Sequence, residues 1–387
     1  MAGAVDVVLA GGGVIGLSVA WEAAQRGLSV ALVDPTPGHG AGWVAAGMLA
    51  PVTEATYGEE ALVRLSLAAA ERWPAFAARL EAATGLDTGF QPCGTVAVAL
   101  DASDRAAVDR LLEYQRALGL DASRLSASEC RSAVPVLSPA VRGGALMPGD
   151  HQVDNRALLA ALAEGCTRAG VTMVAERVAA LRVDGEGTAV GVVTERGDVV
   201  AGGRVVLSAG AWTPQIEGVP AGVVPPVRPV KGHVVRLRAA RGRQAFPHVV
   251  RGLVHGRHCY LVPRADGSVV VGATAEERGF DTTVQAGAVH ALLDDARLLV
   301  PALDEWEYVE CLAGLRPGSP DNAPFVGPTR VRGLVMATGH YRNGFLLAPI
   351  TAETVAEYLT TGTVPPPFDA FPADRHLAAS GAHGAHG

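Results

Sequence analysis

Gly11-Gly12-Gly13-Val14-Ile15-Gly16 follows a short apolar run, and Asp34 lies eighteen positions beyond the last of these glycines. Residues of these types at this spacing suit a dinucleotide. Gly11 permits a tight turn, Gly13 lets backbone N–H groups approach a pyrophosphate, and Gly16 permits close packing of helix on strand. The helix that follows presents the partial positive charge of its N-terminus. Asp34 would accept hydrogen bonds from the ribose hydroxyls of the adenosine half, and its charge disfavours a 2′-phosphate. The motif alone leaves NAD and FAD open.

Two further segments bear on that choice. Ala45-Ala46-Gly47-Met48-Leu49-Ala50-Pro51 follows the fingerprint region directly, which is odd for a nicotinamide domain. Near the C-terminus, Ala337-Thr338-Gly339-His340-Tyr341-Arg342-Asn343-Gly344-Phe345-Leu346-Leu347-Ala348-Pro349 reads as a strand end, a turn and a helix N-terminus. Such a helix end, aimed at the N1/O2 edge of a flavin, would stabilise the negative charge that develops there on reduction.

The elements that must position these residues are legible in the apolar pattern. Residues 5–10 and 28–33 read as strands around a helix at 17–26 that Gly27 stops, a complete βαβ unit. Helices are expected at 59–84, 102–118, 126–132, 155–170, 284–299 and 345–361. Strands are expected at 94–100, near 171–176, 178–184, 189–194 and 204–208, and through the strand-rich stretch 227–275, with mixed structure from 305 to 340. This is an α/β chain (α+β overall). It is expected to form a Rossmann-like domain from 1–85, 146–215 and 311–365 and a second, mixed-sheet substrate domain from 86–145 and 216–310. Both are discontinuous in sequence. The tail 366–387 opens on a proline run and is expected to be mobile from Ala378 onward.

Composition removes several chemistries. The 387 residues carry a net charge of −7, which argues against wholesale nucleic-acid binding. Lys231 is the single lysine, and its setting, Pro-Val-Lys-Gly-His, is not a phosphate-binding P-loop. From Arg228 to Arg264 there are nine Lys/Arg and no Asp or Glu; these are either solvated strand faces or a positive field for an anionic substrate. Five scattered cysteines without C-x-x-C spacing point to reduced thiols and to neither a disulfide framework nor a metal site. The apolar stretch Val5 to Trp21 is interrupted by four glycines and is too short to span a bilayer. A soluble, cytoplasmic protein without a signal peptide is expected.

Taken with the fingerprint, Ala-Ala-Gly-Met-Leu-Ala-Pro, Gly314-Leu315-Arg316-Pro317-Gly318, His258-Cys259-Tyr260-Leu261-Val262-Pro263-Arg264 and Gly339–Pro349 resemble the FAD-dependent D-amino acid oxidase superfamily. Within it they resemble the glycine-oxidase branch of thiamine biosynthesis. The resemblance runs in order from residue 5 to about 360. It implies non-covalent FAD, oxidation of glycine, sarcosine and small D-amino acids with O2 as acceptor, and a homo-oligomer, often a tetramer. It also implies that the imine product serves the thiazole of thiamine. A D-amino acid dehydrogenase or sarcosine oxidase of the same superfamily is the nearby alternative, and a non-catalytic FAD-binding subunit the distant one.

Carried over residue by residue, Arg316, placed in a Gly-Leu-Arg-Pro-Gly turn, matches the carboxylate-binding arginine, a role that suits a forked guanidinium. Arg342 matches a second arginine near substrate and flavin, Tyr260 a tyrosine that reaches the substrate, and His258 a neighbour of the site. No side-chain base is implied: the amine must be neutral, and orientation does the rest. Cofactor contacts are expected from Gly11, Gly13, Val14, Ile15, Gly16, Asp34, Pro35, Gly42, Trp43, Ala46, Gly47, Met48, Val178 and Gly210. The C-terminal motif adds His340, Tyr341, Arg342, Asn343, Gly344, Phe345 and Leu346. One departure stands out: Gly42-Trp43-Val44 lacks the Ser or Thr hydroxyls usual before Ala-Ala-Gly-Met. Trp43 either packs over the cofactor or fills a surface groove. Lys231 is read as structural.

Overall fold

A computed structural model describes residues 4–220, 222–239 and 246–376. The tail from Ala378, and Arg241 and Arg243 of the basic stretch, lie outside these residues. The fold is built on two large sheets. In the first, the strand Val5–Ala10 pairs in parallel with Val30–Val33 on one side and Val199–Leu207 on the other. Thr172–Val174 and Leu334–Thr338 extend the parallel core outward, and Phe325–Pro328 closes one edge antiparallel.

Period-2 alternation gives this sheet two apolar faces. Val7 and Leu9 pack under the helices Val14–Gln25, Glu60–Thr84, Asn155–Arg168 and Gly344–Thr361. Val8 and Ala10 pack on the other side against a layer that includes Leu181, Ala189 and Val192. A strand segment buried on both faces has no polar positions to spare, which is why Val7–Ala10 is wholly apolar, while Asp6 stands at the exposed start of the strand.

The helix Val14–Gln25 starts directly after Gly13, so the last part of the fingerprint is helical. Gly16 sets its approach to the sheet: a Cβ there would lie 1.9 Å from the Gly11 carbonyl oxygen.

The second sheet runs Glu307–Gly318, Arg228–Arg238, Ser268–Gly272, Arg257–Pro263, Val249–Val254, Thr95–Ala99, Gly143–Met147 and Ser123–Leu125. One face carries Val235, Leu237, Val250 and Leu261 and packs against Leu292, Ala296 and Leu299 of the helix Ala286–Leu299. The opposite face carries Val234, Val249, Val262 and Val270 and packs toward Ala46, Val44 and Met48.

Two expectations are corrected here. The segment around Arg316 is a strand, not a turn, because Glu307–Gly318 pairs with Arg228–Arg238 along its length, including Val230 with Arg316 and Gly232 with Gly314. The return to the first sheet therefore follows Gly318, so a boundary at 311 falls inside this strand. Among the described residues no helix is long and apolar enough to cross a membrane.

Replacing Gly16 with Ala sets a methyl group against backbone that no rotamer change can relieve. Gly16→Ala should lower stability by about 3 kcal/mol, near the upper end for overpacking. Urea unfolding followed by far-UV circular dichroism reads this directly.

Candidate active site

Between the two sheets lies a cavity of about 1030 Å³, far larger than one amino acid requires. Ala10, Val33, Ser208 and Thr338 line it, so it opens at the carboxyl ends of the parallel strands, where open α/β sheets hold their ligands. Gly11, Gly13, Val14, Ile15, Asp34, Pro35, Gly42, Ala46, Gly47, Met48, Val178, Gly210 and the run His340–Phe345 line it as well. So do Arg316, Tyr260 and His258.

Three expected contacts do not line it. Gly16 is inside its helix against Gly11. The Leu346 side chain is in the helical core, although its backbone belongs to the first turn of Gly344–Thr361. Trp43 stacks on His39, itself a lining residue, at 4.6 Å, with the Arg156 guanidinium 4.2 Å from its ring centroid.

The nucleotide half is prepared by two open helix ends. No side chain caps the helices Val14–Gln25 and Gly344–Thr361 at their N-termini, and neither has an acidic residue in its first turn. Their first N–H groups lack intrahelical partners and favour an anion. A Cβ added at Gly13 would meet nothing within 4 Å, unlike those at Gly11 and Gly16, so this position faces free space in the cavity. Asp34 accepts from Gly12 N at 2.7 Å and Thr36 N at 2.8 Å, one bond on each oxygen, which leaves acceptor capacity for ribose hydroxyls. This donor and acceptor set fits FAD.

Sequence reasoning missed what holds the segment Gly42–Met48. Asn155 Nδ2 donates to the carbonyls of Gly42 at 2.9 Å and Trp43 at 3.0 Å. Arg264, 5% exposed, donates to Ala46 O at 2.7 Å, to Gln152 Oε1 at 2.6 Å and to Asn155 Oδ1 at 3.2 Å. The segment without hydroxyls is thus fixed through its carbonyls by buried polar side chains far away in sequence. Only the Pro-Arg ending of the His258–Arg264 motif hinted at one of them.

The cavity wall on the second sheet is a row of side chains. Tyr260 is paired with Gly272 on one side and Arg251 on the other, and Gly272 is paired with Val234. Paired residues share a face. A Cβ on Gly272 would lie 2.3 Å from the Tyr260 hydroxyl oxygen, so the phenol ring lies over that glycine. A Cβ on Gly232 would lie 2.2 Å from Arg316 Nη1, and the Arg316 guanidinium lies over this second gap. Arg316 Nη1 also donates to Thr274 O at 3.1 Å. Burial raises the Tyr260 hydroxyl above its ordinary value, keeping it a neutral donor at working pH. His258 is held below its ordinary value by burial and the Arg251 charge. Burial pushes His340 down to about 3, and it bonds Thr351 Oγ1 at 3.0 Å. A neutral ring so placed is a structural partner of its helix.

Alternation sends Lys231 to the other face. It is fully buried and bonds Asp281 Oδ2 at 2.7 Å, Thr283 O at 2.6 Å and Gln285 Oε1 at 3.0 Å, pinning the loop beyond Thr274. The rest of the basic stretch draws its acids from elsewhere: Arg228 pairs with Glu277, Arg236 with Glu310, Arg251 with Glu54, Arg257 with Asp295 and Arg264 with Asp154. These six cations, Lys231 included, are therefore ion-paired, which weakens the alternative of a positive field along this stretch.

Comparison with known proteins agrees with this fold and with an FAD cofactor. Residues 6–358 match the family model DAO, described as FAD dependent oxidoreductase. The chain is 34% identical over 354 residues to the bifunctional protein ThiO/ThiG of Trichormus variabilis, covering 92% of this chain and 52% of that protein. It thus spans about half the length of the bifunctional relatives it matches. It is 35% identical to the glycine oxidase of Geobacillus kaustophilus, over 91% of this chain and 92% of that one. The crystal structure of glycine oxidase from Geobacillus kaustophilus superposes with a TM-score of 0.89, covering 97% of this chain and 100% of that chain.

Gly13→Ala separates cofactor from fold. Its methyl group should project into the cavity, leave the unfolding midpoint within error of the parent, and weaken FAD binding at least about tenfold. Quenching of FAD fluorescence on titration with the apoprotein measures it.

Proposed function

We propose that this chain, which belongs to the DAO family of FAD-dependent oxidoreductases, oxidises glycine, and with it sarcosine and small D-amino acids, to the imine. Bound FAD would supply the two-electron oxidant for the substrate Cα–H bond, with O2 as the final acceptor, reduced to H2O2. Hydrolysis of the imine of glycine gives glyoxylate and ammonia, and unhydrolysed imine would serve the thiazole of thiamine. The observation that carries the reading is Arg316 lying over Gly232 beside Tyr260, inside a cavity whose other end suits a dinucleotide.

Each residue has a share in the proposed chemistry. The Arg316 fork takes the substrate carboxylate, and the neutral Tyr260 hydroxyl donates to it. That fixes the amine and Cα at one distance from the cofactor, the near-attack placement on which the rate depends. Arg342 stands at the start of the Gly344–Thr361 helix, with its guanidinium 5.1 Å from the Tyr341 ring centroid. It adds positive charge where the cofactor becomes negative. His258, neutral at the cavity wall, borders the substrate without a proton-transfer step. The five cysteines are free thiols, which supports a cytoplasmic setting. A homo-oligomer, tetrameric by resemblance, belongs to the same proposal and is checked by mass in solution.

Arg316→Ala should raise the KM for glycine steeply while FAD stays bound, because one desolvated charged contact is worth roughly 2–5 kcal/mol, at least about 30-fold. Anaerobic bleaching of the flavin by glycine, sarcosine and D-alanine, followed by readmission of O2, tests substrate and acceptor together. A flavin that stays oxidised with all three amines contradicts the proposal.

A further inference from the structure

We propose that Glu54 is a specificity-determining residue, which reserves the site for amines with one carboxylate by repelling a second. This rests on the proposed amine-oxidase reading and names the substrate class. Around Tyr260 the cavity is lined by three arginines, Arg251, Arg316 and Arg342, and by Glu54. Arg316 is committed to the substrate carboxylate. That leaves Arg251 and Arg342 facing one acid.

Glu54 is ion-paired with Arg251, the cross-strand neighbour of Tyr260, and Arg251 Nη1 also lies 3.4 Å from Thr53 Oγ1. The backbone leading to Glu54 is held just as firmly. Asp150, fully buried, accepts from Val52 N at 2.8 Å, Thr53 N at 2.8 Å and Thr53 Oγ1 at 2.6 Å. Burial pushes the Glu54 carboxyl up, but the charges of Arg251 and Arg342 and the Arg251 hydrogen bond outweigh it. Glu54 is therefore ionised at neutral pH. Arg342 in turn owes part of its retained charge to Glu54.

A substrate carrying a carboxylate on its nitrogen or its α-substituent would bring that group toward Arg251 and Arg342 and find Glu54 already there. Two carboxylates competing for one guanidinium in a partly desolvated pocket repel, and such a repulsive element is how sites reject close analogues. With Glu54 neutral, the same two arginines become a receptor for the second carboxylate. A monocarboxylate amine leaves Glu54 and Arg251 undisturbed.

The test uses FAD-loaded protein and the near-isosteric Glu54→Gln. Its probes are glycine, D-aspartate and iminodiacetate, which is glycine with a second carboxymethyl group on nitrogen. The ratio of kcat/KM for iminodiacetate to that for glycine should rise at least tenfold over the parent, with D-aspartate following. Glu54→Gln combined with Arg251→Met should lose the gain. A rise of less than tenfold, or a gain that survives the loss of Arg251, overturns the proposal. Should the parent fail to oxidise glycine at all, the function proposed above falls. The selectivity is then read from the affinity for iminodiacetate, through the shift in flavin absorbance, with the same tenfold criterion.

Discussion

Two missing methyl groups on one sheet face shape the proposed substrate end of this protein. Gly232 and Gly272 leave gaps in a surface otherwise covered by Val234, Val249, Val262 and Val270, and the Arg316 guanidinium and the Tyr260 ring lie in those gaps. A long side chain laid flat over backbone loses freedom that it would keep in solvent, and the packing on both sides offsets that cost. The result is a rigid donor pair, preorganised before any ligand arrives. Each neighbouring feature supports this surface: pairing with Arg228–Arg238 sets the register of Arg316, and Thr274 O accepts from its guanidinium. Lys231, on the reverse face, anchors the loop from which Thr274 comes.

The other end of the cavity obeys a different constraint. Here the ligand is expected to be large and anionic, and the first sheet offers backbone in place of side chains. Two uncapped helix N-termini and the open side of Gly13 supply dipoles and space, and Asp34 supplies the acceptor for ribose. The segment Gly42–Met48 between the two ends has no hydroxyl to offer. Asn155 and Arg264 hold its carbonyls, so its N–H groups are fixed by a network on the far side.

Much of this was legible in the chain. The βαβ unit, the long helices at 60–84 and 344–361 and the strand-rich stretch follow from apolar period and glycine punctuation, which are local signals. Arg316 was found through its motif but placed in a turn, because Gly-Leu-Arg-Pro-Gly looks like turn chemistry until a partner strand is present. Arg251 and Glu54 were invisible as a pair: they are far apart in sequence, and neither stands in a recognisable pattern. Only the register between Val249–Val254 and Arg257–Pro263 brings Arg251 beside Tyr260, and only Asp150 brings Glu54 to Arg251. The contact of Trp43 with the Arg156 guanidinium was not legible either, since Arg156 is far away in sequence.

The gap at Gly232 is what would let Arg316 act as the proposed carboxylate clamp. Gly232→Ala is the test, since the substitution leaves the Arg316 charge and the Gly11–Gly16 fingerprint unchanged. In protein with unchanged FAD content, the concentration of glycine that half-bleaches the flavin anaerobically should rise at least tenfold. An unchanged half-bleaching concentration, with the alanine in place and the flavin bound, would contradict the account.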